Sequence, residues 1–345
     1  MRHRSIRLAV AVLATALGAT LAGCGSTEPA HDGPVLTVYS GRNENLVKPL
    51  LDKAAAALGA DVKLEVRYGD TAALAGQLAE EGERSPADVF FSQDAGALGA
   101  LASAGRLAPL PQTVLDASPE QWRAADGAWV STSLRSRVVV YDPRQVADAD
   151  LPQGIDDLVD PKWKGKIGFA PSNASWQAFV TAVRVLRGED GARQWLEKFK
   201  ANEPQKYDNN IKIRDAVDEG KLPLGLSNHY YWFEKAHQVG VDKMNAKLHY
   251  IKGNDPGALV NAAGVGVLAS SKNKDLANKF AEFLLSPEAQ QYFADATAEY
   301  PVRAGVTSAK HKLPPLADLR PPNLRLADLQ SLPKTADLLR QVGLL

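Results

Sequence analysis

The stretch VLTVYSGRNENLVKPLLDKAAAAL, residues 35–58, decides the fold. Its first part, Val35-Leu36-Thr37-Val38-Tyr39, is a short run of β-branched and aromatic residues that stops at Ser40-Gly41. Its second part carries Leu46, Leu50, Leu51, Ala54 and Leu58 at helical spacing. A strand, a loop and a helix in that order form one unit of an α/β sheet, and the unit recurs. Val62, Leu64, Val66 and Tyr68 alternate as a second strand, and Asp70-Thr71 caps a helix running through Leu74 and Leu78. Asp88-Val89-Phe90-Phe91 is a short buried strand, with a helix from Ala97 to Ala104 after it. This alternation predicts a doubly wound α/β sheet with ligand sites in the loops at the carboxyl ends of its strands.

Arg137-Val138-Val139-Val140-Tyr141 opens a second series. Asp142-Pro143 breaks it, Ile167-Gly168-Phe169-Ala170 follows as a strand, and Trp176 to Leu186 follows as a helix. Leu222 to Ser227 is strand-like and delivers Asn228-His229-Tyr230-Tyr231-Trp232 at its end. Gly264 to Leu268 reads as a return strand, and Lys274 to Leu285 as an amphipathic helix. Two α/β lobes with chain crossings near 120–137 and 255–268 fit this order. The Pro- and Leu-rich tail from Pro314 to Pro333 is expected to wrap a surface, with Ala336 to Val342 as a last helix.

The 345 residues are 45% hydrophobic and 23% charged, with 40 basic against 40 acidic side chains, values that set aside disorder and a strongly basic nucleic-acid binder. One cysteine, Cys24, excludes an internal disulfide, a four-cysteine zinc site and a CxxC redox pair. Its position matters more than its number. Arg2, Arg4 and Arg7 precede an apolar stretch from Leu8 to Leu21, which reads as a secretory signal peptide over 1–23. Leu21-Ala22-Gly23-Cys24 resembles a bacterial lipobox, so Cys24 is expected to carry a lipid, with a polar tether over 24–34. Cleavage would leave 37 basic against 40 acidic residues, too small an imbalance to select a partner by global charge.

No GxGxxG follows a strand, and no GxxxxGK[ST], HExxH or GxSxG occurs. The six histidines show no short ligand spacing and read as surface or packing residues. A secreted hydrolase would rest only on export and on scattered carboxylates. Tyr230-Tyr231 is the most informative pair. A phenol ionises near pH ~10, and a hard trivalent cation held against it favours phenolate because the metal displaces the proton. Taken alone, the doublet reads first as aromatic packing, which Trp232 and Phe233 strengthen.

From Leu36 to about Val306 the chain resembles the periplasmic ferric-ion-binding proteins of ABC-type iron importers. The resemblance rests on ordered blocks that include Val38-Tyr39-Ser40-Gly41, Leu74 to Gly82, Ser85 to Phe91, Arg135 to Asp142, Pro161 to Gly168, Asn228 to Trp232, Asp255 to Val260 and Ala298-Glu299-Tyr300-Pro301. It implies a two-lobe hinged periplasmic-binding-protein fold (type II-like), with mixed sheets flanked by helices. The lobes are expected at 35–137 with 262–312 and at 138–261 with 313–345. Tyr230 and Tyr231 match the pair that supplies two phenolate ligands in the family. Asn43 falls where the best-known members place a ligating histidine and Gln93 where they place a ligating glutamate. Both are neutral amides, poorer donors to a hard ferric ion, and Glu44 is the nearest alternative carboxylate.

The family also holds a small oxyanion at a helix N-terminus. The matching positions are Asn173, Ala174 and Ser175, with Asn210 and Asn228. Asp94 stands where a neutral glutamine is common, so it either repels phosphate or turns towards the metal. Arg42, Arg135 and Arg137 are candidates to neutralise the anion, Arg137 equally a structural ion-pair partner. The resemblance implies an exported, lipid-anchored, monomeric solute-binding protein, not an enzyme. It would capture ferric iron, Fe(3+), with phosphate or carbonate, and pass it to an ABC transporter permease. A phosphonate or another small anion or metal complex is the alternative ligand in the same cleft.

Overall fold

A computed structural model describes residues 33–345, so Cys24 and most of the segments expected to be signal peptide and tether lie outside the described residues. The strands are β1 Val35–Ser40, β2 Lys63–Tyr68, β3 Val89–Ser92, β4 Val130–Tyr141, β5 Ile167–Phe169, β6 Gln205–Lys206, β7 Leu224–Asn228, β8 Lys247–His249, β9 Val260–Val267 and β10 Tyr300–Pro301. The helices are α1 Glu44–Leu58, α2 Thr71–Glu81, α3 Ala95–Ser103, α4 Gln112–Asp116, α5 Ala174–Ala201, α6 Asn210–Asp218, α7 His229–Val239, α8 Lys274–Leu284, α9 Pro287–Ala296, α10 Leu316–Leu319 and α11 Leu332–Val342. The strands order as β2-β1-β3-β9-β4-β7-β5-β6, with β8 and β10 also paired to β4. Pairing is parallel for β1 with β2 and β3, and for β5 with β6 and β7. It is antiparallel where β9 meets β3 and β4, and where β4 meets β7. The architecture is therefore the mixed α/β one expected, with helices on the sheet faces.

Strand β4 joins the two halves of this sheet. Val130–Ser136 pairs with β9, and Arg137–Tyr141 pairs with β7. All twelve of its residues are buried, so both faces must be covered. The sequence reading recovered only its last five residues, because Ser131, Thr132, Ser133, Arg135 and Ser136 break the apolar run. Helix α5 also runs past its expected end. Gly188, at φ 74°, gives a single left-handed residue inside it, and the chain resumes helix to Ala201. The tyrosine doublet lies in the first turn of α7, not at the end of a strand, because β7 runs to Asn228 and the helix starts at the next residue.

His229 pins that first turn. Its Nε2 donates to the Ala298 carbonyl at 2.8 Å, and its Nδ1 accepts the Ser136 N–H at 3.1 Å. Full burial lowers its pKa to about 4, so the ring is neutral and its tautomer is fixed by the two bonds. This is a packing histidine, as the lack of ligand spacing implied.

The tail does cover a surface. Leu326 and Leu329 are buried, and the Leu329 carbonyl comes so near α3 that a Cβ on Gly96 would lie 2.7 Å from it. Helix α11 then lies on α5, where Thr335 and Thr181 share a buried hydrogen bond of 2.7 Å.

The second half of the sheet is covered by an aromatic cluster. Trp195 and Phe199 stack at 5.1 Å between ring centroids, with Phe169 edge-on to Phe199 at 5.4 Å and Trp176 at 5.3 Å. Phe199 is fully buried, so Phe199→Ala loses both transfer and cavity terms and should destabilise by about 3–5 kcal/mol. Urea denaturation is the measurement. A midpoint that falls with an unchanged slope is the expected result, and an unmoved midpoint would contradict this packing.

Candidate functional site

Five strand ends and five helix starts meet at a cavity of about 210 Å³. From one side come Gly41 and Asn43 after β1, Asp70 and Thr71 after β2, and Gln93 after β3. From the other come Asn173 and Ala174 after β5, Asn209 ahead of α6, and Tyr231 after β7. Gly41 has no room for a side chain, since a Cβ would sit 2.0 Å from the Thr71 hydroxyl.

Four of these helix starts, all but that of α7, are capped by a side chain beside the cavity. Asn43 accepts from Asn45 N–H, Asp70 from Ala72 and Ala73, Asn173 from Ser175, and Asn209 from Lys212. The caps satisfy only some of the free N–H groups of the first turns, and the positive ends of four helix dipoles point at one small volume. Such a place favours negative charge.

Tyr231 lines the other wall, with Tyr230 packed against it. Tyr230 and Tyr231 lie with ring centroids 4.1 Å apart, and the side-chain amide of Gln93 is 3.3 Å from each phenol oxygen. One group from the end of β3 thus touches both tyrosines from the start of α7. Burial raises the Tyr230 pKa well above its ordinary value, and the neighbouring Tyr231 raises it further. Arg135 opposes both effects, and by itself the Tyr230 phenol stays protonated at neutral pH. Arg214 anchors the next backbone carbonyl by donating to Tyr231 O at 2.6 Å.

Beneath the phenols lie three buried guanidinium groups. Arg42 donates to Glu299 at 2.6 Å, and Arg135 lies 4.0 Å from the other oxygen of that carboxylate. Arg137 donates to the Ser175 hydroxyl at 3.2 Å and sits over the rings of Phe179 and Trp176. It has no carboxylate partner among the described residues, which removes the structural ion-pair reading. Burial pushes its pKa down to about 9 while the charge of a Tyr231 phenolate would raise it. Arg135 Nε and Nη1 and Arg137 Nη2 have no hydrogen-bond partner.

The remaining candidates divide. Asn210 donates to Ser175 Oγ at 2.9 Å and to Asn173 Oδ1 at 3.3 Å, and Ser175 itself donates to Asn173, so Asn173, Ser175, Asn210 and Arg137 form one network at the start of α5. Asn228 is buried at the end of β7, opposite Arg137 in the sheet register. Glu44 is exposed on the first turn of α1 and does not line the cavity; Asn43 does, with its carbonyl oxygen committed to the cap.

Asp94 departs from the expectation that it borders the anion or turns to a metal. Its carboxylate caps α3 by accepting the Ala97 N–H at 3.0 Å, and it is buried away from the cavity. Burial raises its pKa against the pull of that bond and of Arg135. Asp70, read in the sequence only as a helix cap, is the one carboxylate among the described residues lining the cavity. The loop position after a strand was the signal that marked it.

Among the described residues no cluster of three histidine, cysteine or carboxylate side chains suits a metal. A cation here would need the phenols and amides, and two phenol oxygens meeting at one amide are a hard donor pair that fits a hard trivalent ion.

Comparison with known proteins agrees with this geometry. The model of the bacterial extracellular solute-binding proteins matches residues 84–327. The major ferric iron-binding protein of Neisseria meningitidis serogroup B is 38% identical over 311 residues, covering 90% of this chain and 93% of its own. The Fe(3+)-binding periplasmic protein of Serratia marcescens is 37% identical, covering 90% of each chain. The crystal structure of iron-bound HitA from Pseudomonas aeruginosa superposes with a TM-score of 0.83 at 37% identity, over 90% of this chain and 99% of that one. The chain therefore belongs to the bacterial extracellular solute-binding protein family, within the group whose relatives are named for binding ferric iron.

Proposed function

We propose that this protein captures ferric iron in the cavity between the two halves of the sheet and delivers it to an ABC importer. The observation that carries the reading is the contact of the Gln93 amide with both phenol oxygens at 3.3 Å. Tyr230 and Tyr231 would give up their protons and bind as phenolates, with the Gln93 amide, whose Nε2 donates to both phenols without metal, turning to offer Oε1 as a neutral donor, and Asn43 at the edge of the site. Two phenolates leave a ferric ion with a formal charge of +1. An anion such as phosphate or carbonate completes the balance, held at the start of α5 by Ala174 and Ser175 N–H groups, Asn173, Asn210, Asn228 and Arg137. Asp70 adds the carboxylate that Asn43 and Gln93 lack.

Capture needs the halves to close on the ion, and β4 and β9 are the strands that cross between lobes placed at 35–137 with 262–312 and at 138–261 with 313–345. The chain acts as a binding component without turnover, as a monomer tethered through lipid on Cys24 to the outer face of the bacterial cell membrane. No helix among the described residues is long and apolar enough to cross a membrane.

Ferric loading should produce a phenolate-to-iron charge-transfer band in the visible. Tyr230→Phe and Tyr231→Phe should each weaken iron binding at least 100-fold and remove or shift the band; an unchanged band in both variants would sink the assignment. Because binding releases a proton from each phenol, apparent affinity should fall by up to about 100-fold for each unit the pH is lowered below neutral, a slope read by chelator competition. Asp70→Asn should weaken ferric loading about tenfold at fixed phosphate, while leaving thermal stability lower by no more than about 1 kcal/mol, the loss of a partly kept cap.

A further inference from the structure

Helix α7 has a second face. While Tyr231 lines the cavity and Tyr230 meets Gln93, Trp232, Phe233, Ala236 and His237 line a separate groove of about 820 Å³ closed by β8, Tyr250 and the segment around 310–314. The size lies within the range of small-molecule sites, roughly 300–1,000 Å³. Its floor is built of rings held in place. Trp232 Nε1 donates to the Ala246 carbonyl at 2.6 Å, Phe233 meets Trp232 edge-on at 5.0 Å, and His311 packs on Phe233 at 5.5 Å while bonding the Asp295 carbonyl. The wall includes Val241, which is 63% exposed and adds apolar surface beside the rings.

The charge around the groove has one sign. Lys247, Lys310 and Lys312 line it, none of the three makes an ion pair among the described residues, and no carboxylate lines it. Burial keeps the His311 ring on the neutral side, so the cationic charge comes from the lysines. An aromatic floor beneath three unpaired ammonium groups complements a molecule with an apolar body and one anionic head. Concavity favours a small ligand over a flat lipid surface.

From this we infer that the groove is a second ligand site, for an amphipathic carboxylate with an acyl body. The apolar chain lies on Trp232, Phe233, Leu248 and Val241, and the carboxylate lies among Lys247, Lys310 and Lys312. The site is independent of the iron reading, since it uses no residue of the cavity.

Isothermal titration of the full protein with hexanoate, octanoate and decanoate tests it. Saturable one-to-one binding that tightens about threefold to fourfold per added methylene is expected. 1-Octanol, which lacks the charge, should bind at least tenfold more weakly than octanoate. Lys310→Glu with Lys312→Glu, both exposed, should weaken octanoate at least tenfold and leave the ferric charge-transfer band unchanged; Val241→Asp should do the same without altering either lysine. Absence of saturation, a flat chain-length series or equal affinity for 1-octanol would overturn the proposal. So would binding of hexaglutamate or of anionic phosphatidylglycerol vesicles by a protein that ignores all three carboxylates.

Discussion

The arrangement depends on two arginines buried on one strand. Arg135 and Arg137 sit on β4, each under 5% exposed, with three of their N–H-bearing nitrogens lacking a hydrogen-bond partner. A guanidinium does not shed its proton to escape burial, and an unpaired charge in the interior costs several kcal/mol. Glu299 answers part of this through Arg42 and, at longer range, Arg135. Arg137 has only a hydroxyl and two ring faces. Among the described residues Arg135 has only Glu299 at 4.0 Å as an ion-pair partner and Arg137 no carboxylate at all, so negative charge on Tyr230 and Tyr231, to which they couple electrostatically, favours both guanidinium groups. Protonated phenols leave the site short of anions; phenolates formed against a metal supply them. Burial and the neighbouring Tyr231 keep Tyr230 protonated in isolation, whereas the arginines favour its ionised form, so a cation that offsets the desolvation tips the balance to phenolate.

The second constraint is the use of amide and carboxylate side chains as caps. Asn43, Asp70, Asn173 and Asn209 each hold a helix start at the cavity edge. That duty fixes where the helix dipoles point, and it takes the carbonyl oxygen of Asn43 out of free use. Gln93 has no cap to serve and is the amide that reaches the phenols. The metal and anion halves of the site thus share a frame: the end of β3 positions Gln93, the first turn of α7 positions the phenols, and the capped helix starts position the field that holds an anion.

Much of this was legible in the sequence. The alternation beginning at Val35 gave the α/β class, Asp70-Thr71 was recognised as a cap, and the tyrosine doublet was singled out, although its placement at one site came through family resemblance. The reading fell short where tertiary burial overrides composition. Residues 130–136 carry four hydroxyls and an arginine, so they lack the apolar pattern of a strand, and only pairing with β9 makes them one. Helix α5 continues past Gly188 because the aromatic cluster holds its second part. Asp94 looked like a site residue by neighbourhood to Gln93, yet α3 begins just after it and claims its carboxylate. The ring-floored groove on the far face of α7 joins residues some 80 positions apart and has no local signature.

The position of the bound metal decides whether Tyr230 and Tyr231 are its ligands. Diffraction data collected across the iron absorption edge from crystals grown with ferric salt and phosphate would locate it. A single anomalous peak within bonding distance of both the Tyr230 and Tyr231 oxygens, on the side facing Gln93, is the result predicted. A peak elsewhere in the chain, with both phenols still hydrogen-bonded to Gln93, would contradict it.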